Sequence, residues 1–195
     1  MQETEITVQV FDTLGEIKNK LTKQGFSLVE ICDMNDYYFS SEKDVKTLPY
    51  SQLLKKSFLV REVKGNEYDV KMIYKNKKID EQGNVIAEEK TSCKVESFEK
   101  ALKVLQNCGM KPWCNIKQHM QIYMKDKIGF AVQHVADLGT FIEYEEDETM
   151  AGMTEQQKIQ YMLGNLRALG LKLGDDYSCK KVYMKFKAEQ EQELD

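Results

Sequence analysis

The chain is poor in the residues that cross-link, ligate soft metals or anchor a protein in lipid. Its 195 residues include five cysteines, two histidines, two prolines and one tryptophan. Cys32, Cys93, Cys108, Cys114 and Cys179 are odd in number and form no C-x-x-C pair, which argues against a disulfide framework and against a cysteine zinc site. Cys108 and Cys114 are close enough in sequence to pair under oxidation, but reduced thiols are the expectation. His119 and His134 have no neighbour at metal-ligand spacing, and nothing assembles a Cys-His nucleophile. No apolar run approaches the roughly 18 residues of a membrane span, and the amino terminus is polar and acidic, unlike a secretory leader. A formal net charge of −4 does not suit a dedicated nucleic-acid binder. The expectation is a cytoplasmic protein whose partners include neither nucleic acid nor membrane.

What is present is enough for a core. With 42% hydrophobic and 31% charged residues, the chain can fold as one domain over residues 1–195. No linker, repeat or low-complexity tract divides it. Oligomeric state is not written in the pattern; a homodimer is compatible with this size.

Apolar spacing predicts helices over Thr13 to Gln24 and Ser97 to Asn107, with Gly25 and Gly109 as stops and Ser97 as an N-cap. A longer helix is expected over Thr154 to Leu169, closed by Gly170. Extended segments are expected over Ser27 to Phe39, Phe58 to Val63, Tyr68 to Tyr74, Val85 to Val95, Trp113 to Met124, Gly129 to Ala136 and Thr140 to Glu146. Lys125-Asp126-Lys127 reads as a hairpin turn, Asp80 to Asn84 as a second turn, and Lys43 to Lys56 as a loop with one short turn. With the first nine residues this makes roughly eight strands, mainly in antiparallel hairpins.

The chemistry lies in the alternation. Successive strand residues face opposite sides, so Glu3, Glu5, Thr7 and Gln9 point one way while Ile6, Val8 and Val10 point the other. Neighbouring carboxylates repel unless a cation, most simply a divalent metal, sits between them. Charge also recurs at alternate positions in Arg61/Val63, Lys71/Lys75, Glu88/Lys90 and Glu143/Glu145. The apolar sets are Leu59 and its neighbours, Val70/Met72/Tyr74 and Ile142/Tyr144. Closed into a barrel, such a sheet would have a polar lumen suited to a metal-bound polyphosphate, with carboxylates on the metal and Lys or Arg on phosphate oxygens. Alternation alone fits an open sheet with one solvated face equally well.

The order of the motifs adds a resemblance. E-x-E near the start, a V-R-E strand, an I-Y-K strand, a Glu ahead of a helix and "DLGTFIEYE" (Asp137 to Glu145) together resemble the CYTH superfamily, the triphosphate tunnel metalloenzymes. "NDYYF" (Asn35 to Phe39) is similar to that family's D-x-Y-F-D. The resemblance covers about Glu3 to Glu145, with a helical tail. It implies an α+β fold with an eight-stranded antiparallel β-barrel, the triphosphate tunnel, surrounded by helices.

It also implies a metal-dependent hydrolase acting on a triphosphate or other polyphosphate, or a class IV-type adenylyl cyclase. Magnesium or manganese would be held by Glu3, Glu5, Glu88, Glu143 and Glu145. Arg61 and Lys75, with Lys71 as a further cation, would hold the phosphates of a polyphosphate or nucleoside triphosphate-like molecule. The pattern is incomplete. Thr7 stands where the family's lysine ends E-x-E-x-K, Gln9 replaces a following base, and Ile86 an arginine. Gln118-His119-Met120 replaces a K-x-R, and Gln133 a late aspartate. A degenerate domain that binds an anion without turnover is the remaining alternative.

Overall fold

Thr13 and Thr154 each start a helix for the same local reason. Each accepts from the backbone N–H three residues on, while Glu16 or Gln157 returns a bond to the cap's own N–H. The computed structural model describes residues 4–42, 45, 47–79 and 85–192. Strands β1 (Glu5–Val10), β2 (Ser27–Ser40), β3 (Lys56–Lys64) and β4 (Tyr68–Ile79) are followed by β5 (Val85–Lys94), β6 (Lys111–Lys125), β7 (Ile128–Val135) and β8 (Gly139–Glu145). The helices are α1 (Leu14–Lys23), α2 (Tyr50–Lys55), α3 (Phe98–Asn107), α4 (Glu155–Ala168) and α5 (Lys181–Gln192).

The eight strands bond in the order β1-β8-β7-β6-β2-β3-β4-β5. Pairs β1–β8, β3–β4, β4–β5, β6–β7 and β7–β8 are antiparallel. This is the expected eight-stranded antiparallel sheet with helices. The order has two ends, and among the described residues no pairing joins β1 to β5.

Two compact units divide the residues. One comprises 1–2, 34–117 and 182–195; the other comprises 3–33 and 118–181. In the second, Ile6, Val8 and Val10 of β1 and Ile142 and Tyr144 of β8 join Ile17 and Leu21 of α1 and Met162 and Leu166 of α4 in one core. Removing a ring such as Tyr144, which is fully buried there, would cost about 3–5 kcal/mol. In the first unit, Phe39, Val60 and Val70 pack with Phe98, Ala101 and Leu105 of α3.

Several boundaries differ from the sequence expectation. β4 runs on to Ile79 and β6 spans Lys111–Lys125, because polar strand ends show no apolar alternation to extend the pattern. The expected loop from Lys43 holds a helical element, α2, and β3 begins at Lys56. The hairpin at Lys125-Asp126-Lys127 forms as expected, with Lys125 paired to Ile128 and Asp126 at φ 54°, a conformation Asp tolerates better than most residues. The expected turn at Asp80 to Asn84 lies outside the described residues.

Candidate metal and phosphate site

Pairing of β1 with β8 sets Glu5 opposite Glu145 and Thr7 opposite Glu143, so these four side chains share one face. The reverse face carries Ile6, Val8, Ile142 and Tyr144, all 3% exposed or less. Their burial fixes the register, since a one-residue slip would turn the glutamates into the core. One oxygen from each of Glu5, Glu143 and Glu145 lies within 4.8 Å of the others. Magnesium–oxygen bonds of about 2.1 Å place adjacent ligands about 3 Å apart and opposed ligands about 4 Å apart. Small side-chain rotations therefore bring the three oxygens onto one ion. An all-oxygen donor set suits magnesium or manganese rather than a softer metal. The residues present fit a divalent ion.

Such a cluster is electrostatically uncomfortable by itself. Burial pushes the Glu5 carboxyl above its ordinary range and repulsion from Glu143 pushes it further, while Lys181 and a hydrogen bond from Thr7 act against the rise. Thr7 Oγ1 donates to Glu5 Oε1 at 3.0 Å and lies 3.5 Å from Glu143 Oε2. Lys181 Nζ donates to Glu143 Oε2 at 2.9 Å and also to Gln133 Oε1. The side chains of Lys181 and Glu143 are only 15% and 16% exposed, so their attraction is weakly screened.

Sequence reasoning missed Lys181. A lysine in a tail has no alternation to place it, and its position follows from how the preceding segment docks. Phe11 N donates to the Lys172 carbonyl at 2.9 Å, Gly174 N to Gln9 at 2.8 Å, and Cys179 N to Thr7 at 3.0 Å. Residues 172–179 thus lie along the edge of β1 away from β8, meeting backbone groups that would otherwise be exposed there. Buried Asp12 holds the start of this strap, accepting from Lys20 Nζ at 2.8 Å and from Lys172 N at 2.6 Å. Burial pushes the Asp12 carboxyl up, but these two donors outweigh it and hold it below its ordinary value. Gln133, which stands in place of an expected aspartate, accepts from Lys181 instead of offering a charge.

The first unit carries the expected cations. Register sets Arg61 opposite Lys71, Ser57 opposite Lys75, Lys75 opposite Lys90 and Lys77 opposite Glu88. Directly paired residues share a face, so Arg61, Lys71, Lys75, Lys77 and Lys90 stand on one side of β3–β5. Leu59 also stands on this side, opposite Ile73, and both are fully buried. This corrects the placement of Leu59 with the opposite apolar set, because residues 59 and 61 are two apart and must share a face. Val60, Val70 and Met72 form that apolar set, against α3.

Three cations of this face have acidic partners. Arg61 makes a bidentate pair with Asp36, Nε to Oδ1 at 2.7 Å and Nη2 to Oδ2 at 2.6 Å. Lys71 and Lys94 both reach Asp69, at 2.8 and 3.3 Å. Of the expected metal ligands, the structure brings together Glu5, Glu143 and Glu145. Glu3 lies outside the described residues, as does the side chain of Glu88, whose backbone belongs to β5.

No family model matches the chain. A Methanocaldococcus jannaschii protein provisionally named an adenylate cyclase is 26% identical over 189 residues, covering 96% of this chain and 99% of its own length. A solved Pyrococcus horikoshii OT3 structure matches with a TM-score of 0.68 and 19% identity, over 96% of this chain and 99% of that one. A Hippeastrum structure, described as a provisional adenylyl cyclase with a dominant triphosphatase activity, matches with a TM-score of 0.61 and 13% identity over 96% of both chains. The strand order, the acids that β1 and β8 carry and these end-to-end likenesses identify the chain as having the fold of the CYTH superfamily, the triphosphate tunnel metalloenzymes.

Proposed function

We propose that the protein is a metal-dependent phosphohydrolase acting on a triphosphate or other polyphosphate. The observation that carries this reading is the convergence of Glu5, Glu143 and Glu145 oxygens within 4.8 Å beside Lys181. A bound magnesium or manganese ion would supply Lewis acidity toward a phosphate oxygen. The chain's own residues do the rest. Glu5, Glu143 and Glu145 fix the ion, and Thr7 orients the Glu5 carboxylate. Lys181 can pass from Glu143 to a phosphate oxygen, and Arg61, Lys71 and Lys75 are the phosphate-binding cations that the sequence resemblance implies. Preorganised cations of this kind stabilise the charge that develops in phosphoryl transfer.

Cyclisation of ATP is the second reading, favoured by the name of the Methanocaldococcus jannaschii relative. A phosphate-release assay with tripolyphosphate, thiamine triphosphate and nucleoside triphosphates, each with magnesium or manganese, tests the first. Release of orthophosphate that vanishes with chelator is the expected result. Cyclic AMP and pyrophosphate as sole products from ATP would establish the second. No metal-dependent product from any of them would overturn both.

A further inference from the structure

The acidic cluster of the second unit holds a cation of the chain's own. Lys181 Nζ donates to Glu143 Oε2 at 2.9 Å, and its other acceptor is Gln133 Oε1. Gln133 is 3% exposed, and its Nε2 donates to Met120 Sδ at 3.8 Å, which turns Oε1 toward the lysine. A carboxylate at Gln133 would add a further negative charge to the cluster. The neutral amide accepts from the ammonium and adds none.

The fold, rather than the reach of a long side chain, puts the ammonium there. Residues 172–179 are bonded through the main chain to Phe11, Gln9 and Thr7, and Asp12 fastens their start. Arg167 lies over the ring of Tyr177, 5.8 Å from its centroid, and Tyr177 packs against the core of the unit. A lysine delivered two residues beyond a strap held in this way has lost most of its freedom before it meets Glu143, so little further ordering opposes the contact.

We propose that Lys181 is a built-in competitor of the divalent ion: it occupies Glu143 in the metal-free protein, and an ion that takes Glu5, Glu143 and Glu145 has to displace it. An ion and an ammonium on one carboxylate repel each other, and with Lys181 and Glu143 only 15% and 16% exposed that repulsion is weakly screened. The lysine therefore holds the affinity for metal alone below what three carboxylates would give. A phosphate oxygen that accepts the displaced ammonium removes the competition, so ion and anion each favour binding of the other. This last consequence rests on the polyphosphate reading; the competition itself rests only on the acidic cluster.

Calorimetric titration of manganese into the full chain, without polyphosphate, tests the competition. Lys181→Met and Lys181→Gln remove the charge and keep much of the side chain's length. Both should bind manganese at least about tenfold more tightly than the wild type, whereas Lys181→Arg, which keeps the charge, should stay within about threefold of it. A lysine that only supported the fold would shift affinity the other way, because its loss would disorder the cluster. If neither neutral variant binds more tightly, or if Lys181→Arg gains as much as they do, the inference is overturned. Metal-dependent tripolyphosphate hydrolysis by the wild type, with manganese affinity unchanged in both neutral variants, would sink this inference alone. Tighter manganese binding by the neutral variants, with no triphosphate hydrolysed by the wild type, would sink the proposed function and leave the competition standing.

Discussion

The pair β1–β8 and the set β3–β5 follow the same two-residue period, yet one gathers acids and the other bases, and they treat their charges differently. On β3–β5 three of the cations have aspartates beside them, Asp36 for Arg61 and Asp69 for Lys71 and Lys94. On β1–β8 three carboxylates meet beside one lysine, and burial together with Glu143 raises the Glu5 carboxyl. On the basic face Arg61, Lys71 and Lys94 are met by aspartates, whereas in the acidic cluster carboxylates crowd one another. On the proposed reading, a divalent cation completes a site of the second kind.

The sharpest way to break this contrast is to remove the internal balance of the basic face. Arg61→Ala takes the counter-charge from Asp36, whose side chain is 4% exposed. The expected loss is about 3 kcal/mol in urea unfolding, the cost of stranding a buried charge. Adding Asp36→Ala should recover part of it. A loss under about 1 kcal/mol for Arg61→Ala would mean that Asp36 finds other support.

A smaller effect is expected from acid on the strap that delivers Lys181. Asp12 is held below its ordinary value of 3.8. Its stabilisation is therefore complete above that value and is lost as pH falls through the lower folded-state value. Protection of the Gly174 and Cys179 amides relative to their intrinsic exchange rates should fall between about pH 4 and pH 2. Asp12→Asn should show fast exchange already at neutral pH. Protection that is high and pH-independent in both proteins would rule out Asp12 as the fastening.

The smallest effect belongs to Lys71→Ala. The pair with Asp69 joins side chains 40% and 23% exposed, and such surface pairs contribute about 0–1 kcal/mol. A thermal shift comparable to that of Arg61→Ala would show that exposure does not separate the two cations.

Much of the architecture was legible because burial enforces periodicity. Ile6/Val8 and Ile142/Tyr144 announced the core faces, so the acids between them had to stand together on the reverse. Caps at Thr154 and Ser97 and the hairpin at Asp126 were legible as local chemistry. Lys181 was not, because its place depends on tail hydrogen bonds that join residues far apart in sequence, as between Gly174 and Gln9. The Arg61–Asp36 pair was equally hidden, since register between distant strands decides which aspartate an arginine meets. That Lys90 stands opposite Lys75 follows only once β4 and β5 are aligned.

Manganese titration by calorimetry, comparing the wild type with Glu5→Gln and Glu143→Gln, tests the central claim most directly. Saturable binding of manganese by the wild type, weakened at least about tenfold by either loss of a carboxylate charge, is the result the account predicts. Manganese binding equally well to all three proteins, or to none of them, would contradict it.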